Sequence, residues 1–383
     1  MTTRQPVVAF VVNGGPDSAM AERATSFAAR LADRYDCRMI HRDGGKLGAA
    51  RRIARALAAV RPDLCYVLDL AFSGVAAAGL YKHATGTPFI VDTGDAVVEL
   101  GRALGRGPAA LAATQALESY ALRAASAVVV RGPLHQQFLA RRGVRAEYVP
   151  DGVDVEQFAP SITSSPTDGS LVIGVLGSIV WVPGRGMCYG WELIELVRLL
   201  RGRLPVRGVL IGDGSGSAVL KRRCAECGIE DRVEFAGHVP HGELPGRLQQ
   251  WHIGLSTQTD DVIGNVRTTG KLPLYLAAGR FVLASRVGTA AQILPEQMLV
   301  SYRGSNDPEY PARLAERILD LTTRGETFAP RRDAVRLARE HFDYDILAPR
   351  VARVIDRLLV ADPRRASVHR LRCERPIRSA SNK

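Results

Sequence analysis

The chain has 383 residues, 46% of them hydrophobic and 23% charged, and a formal net charge of +12. That length exceeds what one hydrophobic core usually fills, so two domains are predicted, with the composition of a soluble globular protein. No apolar run reaches the ~20 residues of a membrane helix, and Val7–Val12 is too short for a signal-peptide core, so the chain reads as cytoplasmic.

Taken in order, short apolar runs alternate with longer amphipathic stretches. Val7–Val12 reads as a strand, followed by the turn Asn13-Gly14-Gly15-Pro16 and a helical stretch from Ser18 to Ala32. Arg38–His41, Leu64–Leu68, Phe89–Val91, Ala127–Val130 and Glu147–Val149 read as further strands, with helical stretches such as Gly48–Val60 and Leu111–Arg123 between them. This alternation predicts a mainly parallel sheet covered by helices on both faces, over residues 1–158. A Ser-, Thr- and Pro-rich stretch at 159–170 reads as a linker.

A second alternation follows in residues 171–343. Leu171–Leu176, Val206–Ile211, Val233–Phe235, Ile253–Ser256 and Phe281–Ala284 are its strands, and Trp191–Arg201 is its first helix. The fold class is therefore α/β, with two doubly wound Rossmann-like domains facing across a cleft. A last helix, 344–360, is expected to cross toward the first domain. Ligands of open α/β sheets bind outside the carboxyl ends of the strands, which places a site in that cleft.

The net positive charge favours polyanionic partners. Between Ala361 and Lys383 stand seven cations against Asp362 and Glu374, a net +5. This stretch reads either as a solvated, disordered tail or as a contact for anionic lipid headgroups. No zinc-ligand or RNA-recognition pattern supports nucleic acid as a partner. Cys224 and Cys227 form a lone C-x-x-C inside a helical stretch, which is ordinary packing rather than a metal site.

Three segments carry chemistry. Ile211-Gly212-Asp213-Gly214-Ser215-Gly216 closes a strand and opens a helix, where glycines let backbone approach an anion. Pro150-Asp151-Gly152-Val153-Asp154, with Phe158, closes the first domain. The loop Arg267-Thr268-Thr269-Gly270-Lys271 leads into a helix ending at Gly279, and its cations and amides suit a diphosphate.

Together with Val128-Val129-Val130, Arg232–Gly237, Tyr275-Leu276-Ala277-Ala278-Gly279 and Glu340-His341-Phe342, these segments resemble in order the family 4 glycosyltransferases of GT-B fold. The resemblance implies a nucleotide-sugar donor in the C-terminal domain and an acceptor on the N-terminal side. The acceptor is a saccharide, a lipid-linked molecule or a small metabolite, and anomeric configuration is retained. Neither a cofactor nor a metal is expected.

It also implies departures. The family's paired glutamates fall at Val266 and Leu274, and its Gly-Arg and Lys-Gly phosphate contacts fall at Gly177-Ser178 and Tyr189-Gly190. Gly177, Ser178, Arg185, Arg267, Thr268, Thr269 and Gly270 are expected to supply the donor contacts, with Gly212, Asp213 and Gly214, and Lys271 is expected to act in catalysis. Asp260, Asp261 or Asn265 are candidates to stand in for the lost glutamates. Where the family often has a histidine, the loop after Phe89–Val91 reads Asp92-Thr93-Gly94-Asp95, so Asp92 and Asp95 are the candidate proton acceptors. Gly14 and Gly15 lie at the expected cleft edge. Glu22 and Arg23 read as helix-face charges, and His135, His238 and His241 as surface or loop residues. A catalytically weak sugar-nucleotide binder and a GT-B-fold epimerase are the competing functions.

Overall fold

The computed structural model describes residues 4–159 and 169–361. Most of the linker, from residue 160 to 168, and the basic stretch 362–383 lie outside the described residues.

The first sheet contains β1 (Val7–Val12), β2 (Asp36–His41), β3 (Leu64–Leu68), β4 (Phe89–Thr93), β5 (Ala127–Val130) and β6 (Ala146–Tyr148). All pair in parallel, in the order β2-β1-β3-β4-β5-β6. Every residue of β1, β3 and β4 is buried, as expected of central strands covered by helices on both faces. The helix Ala19–Leu31 is started by Ser18, whose hydroxyl accepts from the Ala21 amide at 3.2 Å.

The second domain opens with β7 (Leu171–Leu176), and a small hairpin of β8 (Trp181–Val182) and β9 (Met187–Cys188) rises from the loop after it. The second sheet joins β7 to β10 (Val206–Ile211), β11 (Val233–Gly237), β12 (Ile253–Ser256), β13 (Phe281–Ser285) and β14 (Leu299–Val300). These six strands too are all parallel, in the order β11-β10-β7-β12-β13-β14. The two doubly wound sheets are the architecture the sequence predicts.

The central position of β7 creates a switch point, and the glycines after it have specific reasons. Gly212, ending β10, has φ +129, and a Cβ there would lie 2.0 Å from the Gly177 carbonyl oxygen. Only glycine lets the two loops touch in this way. The same need appears where the domains meet: a Cβ on Gly132, after β5, would lie 2.3 Å from the carbonyl oxygen of Val266.

After the second domain the chain returns. Val153 and Asp343 bridge in parallel, and the helix Tyr344–Val360 follows, capped by Asp343. Its Leu347, Val351 and Ile355 are buried among Phe27, Leu31 and Tyr35 of the first domain. Arg30 pairs with Asp345, and Arg34 and the Tyr35 hydroxyl with Asp356.

Candidate functional site

The carboxyl ends of the N-terminal strands gather charge. Asp92 ends β4 and is completely buried. Its Oδ2 accepts from Arg23 Nε and the Tyr66 hydroxyl, both at 2.9 Å, and its Oδ1 from Arg131 Nε at 3.0 Å. Burial alone would push this carboxyl up, but Arg23, Arg131 and Tyr66 outweigh burial and hold it below the usual range. Both oxygens are occupied and no surface is exposed. The expectation of Asp92 as a proton acceptor does not fit this setting; it is the centre of a buried charge network. Arg23, read from sequence as a helix-face charge, is 1% exposed and also donates to the carbonyls of Val149 and Pro150.

Arg131 extends the network to Asp69 at 2.7 Å and Asp151 at 3.6 Å. Asp69 sits at φ +65 just after β3, an uncommon backbone for a residue with a side chain. Its position is fixed by Asn13, whose side-chain amide donates to the Leu68 and Asp69 carbonyls and accepts from the Gly74 amide. The Asp151 carboxyl is pushed up by burial, against the pull of Arg131 and Arg23. Gly14 and Gly15 form the neighbouring turn; a Cβ on Gly15 would meet open space, so no close approach is needed there.

Asp95 differs from Asp92. It lies beyond β4, one-third exposed, and its Oδ1 accepts from Arg267 Nε at 2.6 Å. Arg267 belongs to the second domain, so this pair crosses the seam where Gly132 touches Val266. Burial would raise the Asp95 carboxyl, but Arg267 chiefly, with Arg131 and His135, lowers it overall. His135 is 1% exposed, not a surface residue, and burial pushes its imidazole down to about 4.

On the C-terminal side, Lys271 begins the helix Lys271–Ala277 and lays Nζ 3.2 Å above the centre of the Tyr189 ring. A Cβ on Gly177 would lie 3.9 Å from the same nitrogen. Among the described residues Lys271 has no hydrogen bond or ion pair. Burial, and then the like charge of Arg267, push its pKa well down, while Glu192 opposes them. Glu192 is buried in the first turn of the helix Trp191–Leu200, and burial raises its carboxyl to about 7. Sequence reasoning missed Glu192, which reads as a routine first-turn acid.

The structure therefore brings Gly177, Gly212, Tyr189, Lys271 and Arg267 into one region, with Asp95 facing Arg267. Other expected donor contacts are engaged locally. Arg185 donates to Thr259 at 2.9 Å and pairs with Asp261, which also caps the helix Val262–Val266. Asp260 accepts from Asn265. Asp213 folds onto its own loop, accepting from the Gly214 amide at 2.7 Å and the Ser217 hydroxyl. Gly214 is exposed, with φ +157. Thr268 is buried against Thr289, while Thr269, Gly270 and the exposed Ser178 stand at the loop surfaces. Val266 and Leu274 are buried and apolar. Among the described residues no His, Cys, Asp and Glu group is placed to hold a metal ion.

Residues 170–324 match the family model for Glycosyl transferases group 1. Over 176 residues the chain is 27% identical to a phosphatidylinositol N-acetylglucosaminyltransferase component of Arabidopsis thaliana, covering 45% of this chain and 36% of that relative. The chain thus spans about a third of that curated relative's length. A sucrose-phosphate synthase from Thermosynechococcus elongatus superposes with TM-score 0.71 at 15% identity, over 94% of this chain and all of the other. Anabaena HepE in complex with UDP and glucose superposes with TM-score 0.68 at 16% identity, over 92% of this chain and all of the other. The likeness covers both domains and is that of the GT-B fold.

Proposed function

We propose that this chain, whose residues 170–324 form a glycosyl transferases group 1 domain, moves a sugar from a nucleotide donor to an acceptor hydroxyl with retention. The carrying observation is Lys271. It is a largely enclosed cation without an anionic contact, next to a second cation, Arg267, that repels it. Such an arrangement is unfavourable until an anion enters between the two charges, and a diphosphate fits that need. The backbone of the Gly177 and Gly212 loops lies alongside.

In this reading Lys271 replaces the cation that the family resemblance assigns to position 189, where Tyr189 instead supports it from below through its ring. Lys271 and Arg267 neutralise charge on the departing diphosphate as the sugar becomes oxocarbenium-like. Arg267 turning to the phosphates would release Asp95. Freed of that partner, the Asp95 carboxylate regains basicity and orients the acceptor hydroxyl. Asp92 keeps the loop in place from beneath. UDP-sugars are the first donors to test, since HepE is seen with UDP and glucose.

For the acceptor, the Arabidopsis relative's name supports a lipid-linked molecule. The helix Lys46–Val60 supports it too: it carries Lys46, Arg51, Arg52 and Arg55 on its exposed side, beside Leu47, which is 70% exposed. A cationic helix with an apolar tip suits an anionic membrane surface, on the cytoplasmic side. No helix among the described residues is long and apolar enough to cross a membrane. The deciding experiment is a thermal-shift and turnover screen of sugar nucleotides. A donor that stabilises the protein and is consumed only with acceptor supports the reading; stabilisation without any release of nucleotide, in line with the apolar Val266 and Leu274, supports a binding protein instead.

A further inference from the structure

A cavity of about 330 Å³ lies in the N-terminal domain, and Arg185, Arg267 and Lys271 are not among its lining residues. It is lined by Glu99 and Arg102 on the helix Val97–Ala103, by Gln115, Glu118 and Ser119 on the helix Pro108–Ala124, and by Arg142. Its polar groups are incompletely satisfied. Glu99 Oε2 is buried without a hydrogen-bond partner. The Glu118 side chain is only 8% exposed, and its nearest cation, Arg142, stands 3.7 Å away, beyond hydrogen-bond length. Burial raises the Glu118 carboxyl, and Arg142 only partly offsets that. A buried carboxylate oxygen left unpaired, as Glu99 Oε2 is, is costly unless something donates to it.

The charges nevertheless balance. Arg142 faces both glutamates and Arg102 faces Glu99, at 3.7–3.8 Å. A charged ligand would upset that balance, so the missing partner is a neutral molecule rich in hydroxyls. A hydroxyl donates to a carboxylate and accepts from a guanidinium at once, which suits a wall where the two alternate. The volume is at the lower end of the range for small-molecule sites.

We infer that this cavity is a binding site for an uncharged sugar ring, held by Glu99, Glu118, Arg102 and Arg142. On the transferase reading the ring is a distal part of the acceptor, because the helix Val97–Ala103 begins two residues after Asp95 and also packs on the second domain at residues 183–185. The binding itself does not depend on that reading.

The test is saturation-transfer NMR and titration of the whole protein with methyl glycosides of glucose, galactose, mannose and N-acetylglucosamine, without any donor. At least one glycoside is expected to bind, at least tenfold more weakly in Glu118→Ala and equally well in Lys271→Ala. Ser119→Trp, which fills the cavity and leaves Glu118 in place, is expected to abolish binding and carries the test should Glu118→Ala not fold. Absence of binding by all four glycosides to the wild-type protein overturns the site. So does binding untouched by Ser119→Trp. Failure of the transferase reading would show instead as absent turnover with glycoside binding intact.

Discussion

Asp95 and Arg267, 172 residues apart in sequence, join the two domains through an Nε–Oδ1 contact of 2.6 Å. Each side chain is about one-third exposed, so the pair contributes less than ~1 kcal/mol to stability. Asp95→Asn is expected to shift the urea midpoint slightly and to lower transfer about 100-fold. Transfer at the wild-type rate in that variant would remove Asp95 from the chemistry. Because Arg267 keeps the carboxyl below its ordinary value, the pH profile of kcat/KM, which reports the donor-free enzyme, is expected to show no acid limb from Asp95 near neutrality.

Lys271→Ala and Lys271→Met are expected to weaken donor binding at least tenfold while leaving the melting temperature equal or higher. The reason is that an enclosed ammonium resting on Tyr189 without an anion is itself costly. Calorimetric titration with UDP decides the matter: unchanged affinity in both variants rejects Lys271 as the phosphate contact.

Glu192 gives a pH signature. Its carboxyl titrates near 7 in the folded chain and near the usual glutamate value, about 4.3, when unfolded. Between those values the folded state binds more protons, so stability falls as pH rises. Glu192→Gln removes that loss. Its advantage over wild type should be small at pH 4.5 and reach on the order of 3 kcal/mol at pH 8. Melting curves that differ by the same amount at both pH values would contradict this account.

Asp92→Asn, by contrast with Asp95→Asn, takes from Arg23 and Arg131 the buried carboxylate that they share. Breaking a buried pair in this way costs about 3–5 kcal/mol. Chemical denaturation should show most of the stability gone, and a mild effect would mean that the network is relaxed by solvent.

Sedimentation with vesicles containing anionic lipid tests the helix Lys46–Val60. Reversing Arg51, Arg52 and Arg55 to glutamate removes about 1 kcal/mol of attraction per cation and should lower binding by two orders of magnitude or more. Neutral vesicles should bind neither form, and equal binding of both forms to anionic vesicles would exclude this surface.

The strands were readable in the sequence because central parallel strands are mostly apolar. Leu64–Leu68, Ala127–Val130, Leu171–Leu176 and Val206–Ile211 have the predicted limits. The hairpin at Trp181–Val182 and Met187–Cys188 was not, since two-residue strands have no period to detect. Charge was harder to place. Asp92 reads as a free carboxylate, and Arg23 as a surface cation, until helix, strand and loop from three parts of the chain are brought together. The role of Glu192 was hidden for the same reason: a first-turn acid is ordinary, and only folding brings Lys271, Tyr189 and Tyr310 within electrostatic reach of it.

The last described helix begins after the second sheet is complete yet seals the first, with Leu347, Val351 and Ile355 among the side chains of Ala19–Leu31. The first lobe therefore cannot be excised as one continuous stretch of polypeptide, whereas the second can. A chimera that exchanges the front half for that of another protein must exchange Tyr344–Val360 with it. A cut made only near residue 159 would leave one hybrid half lacking a wall and the other carrying a surplus greasy helix.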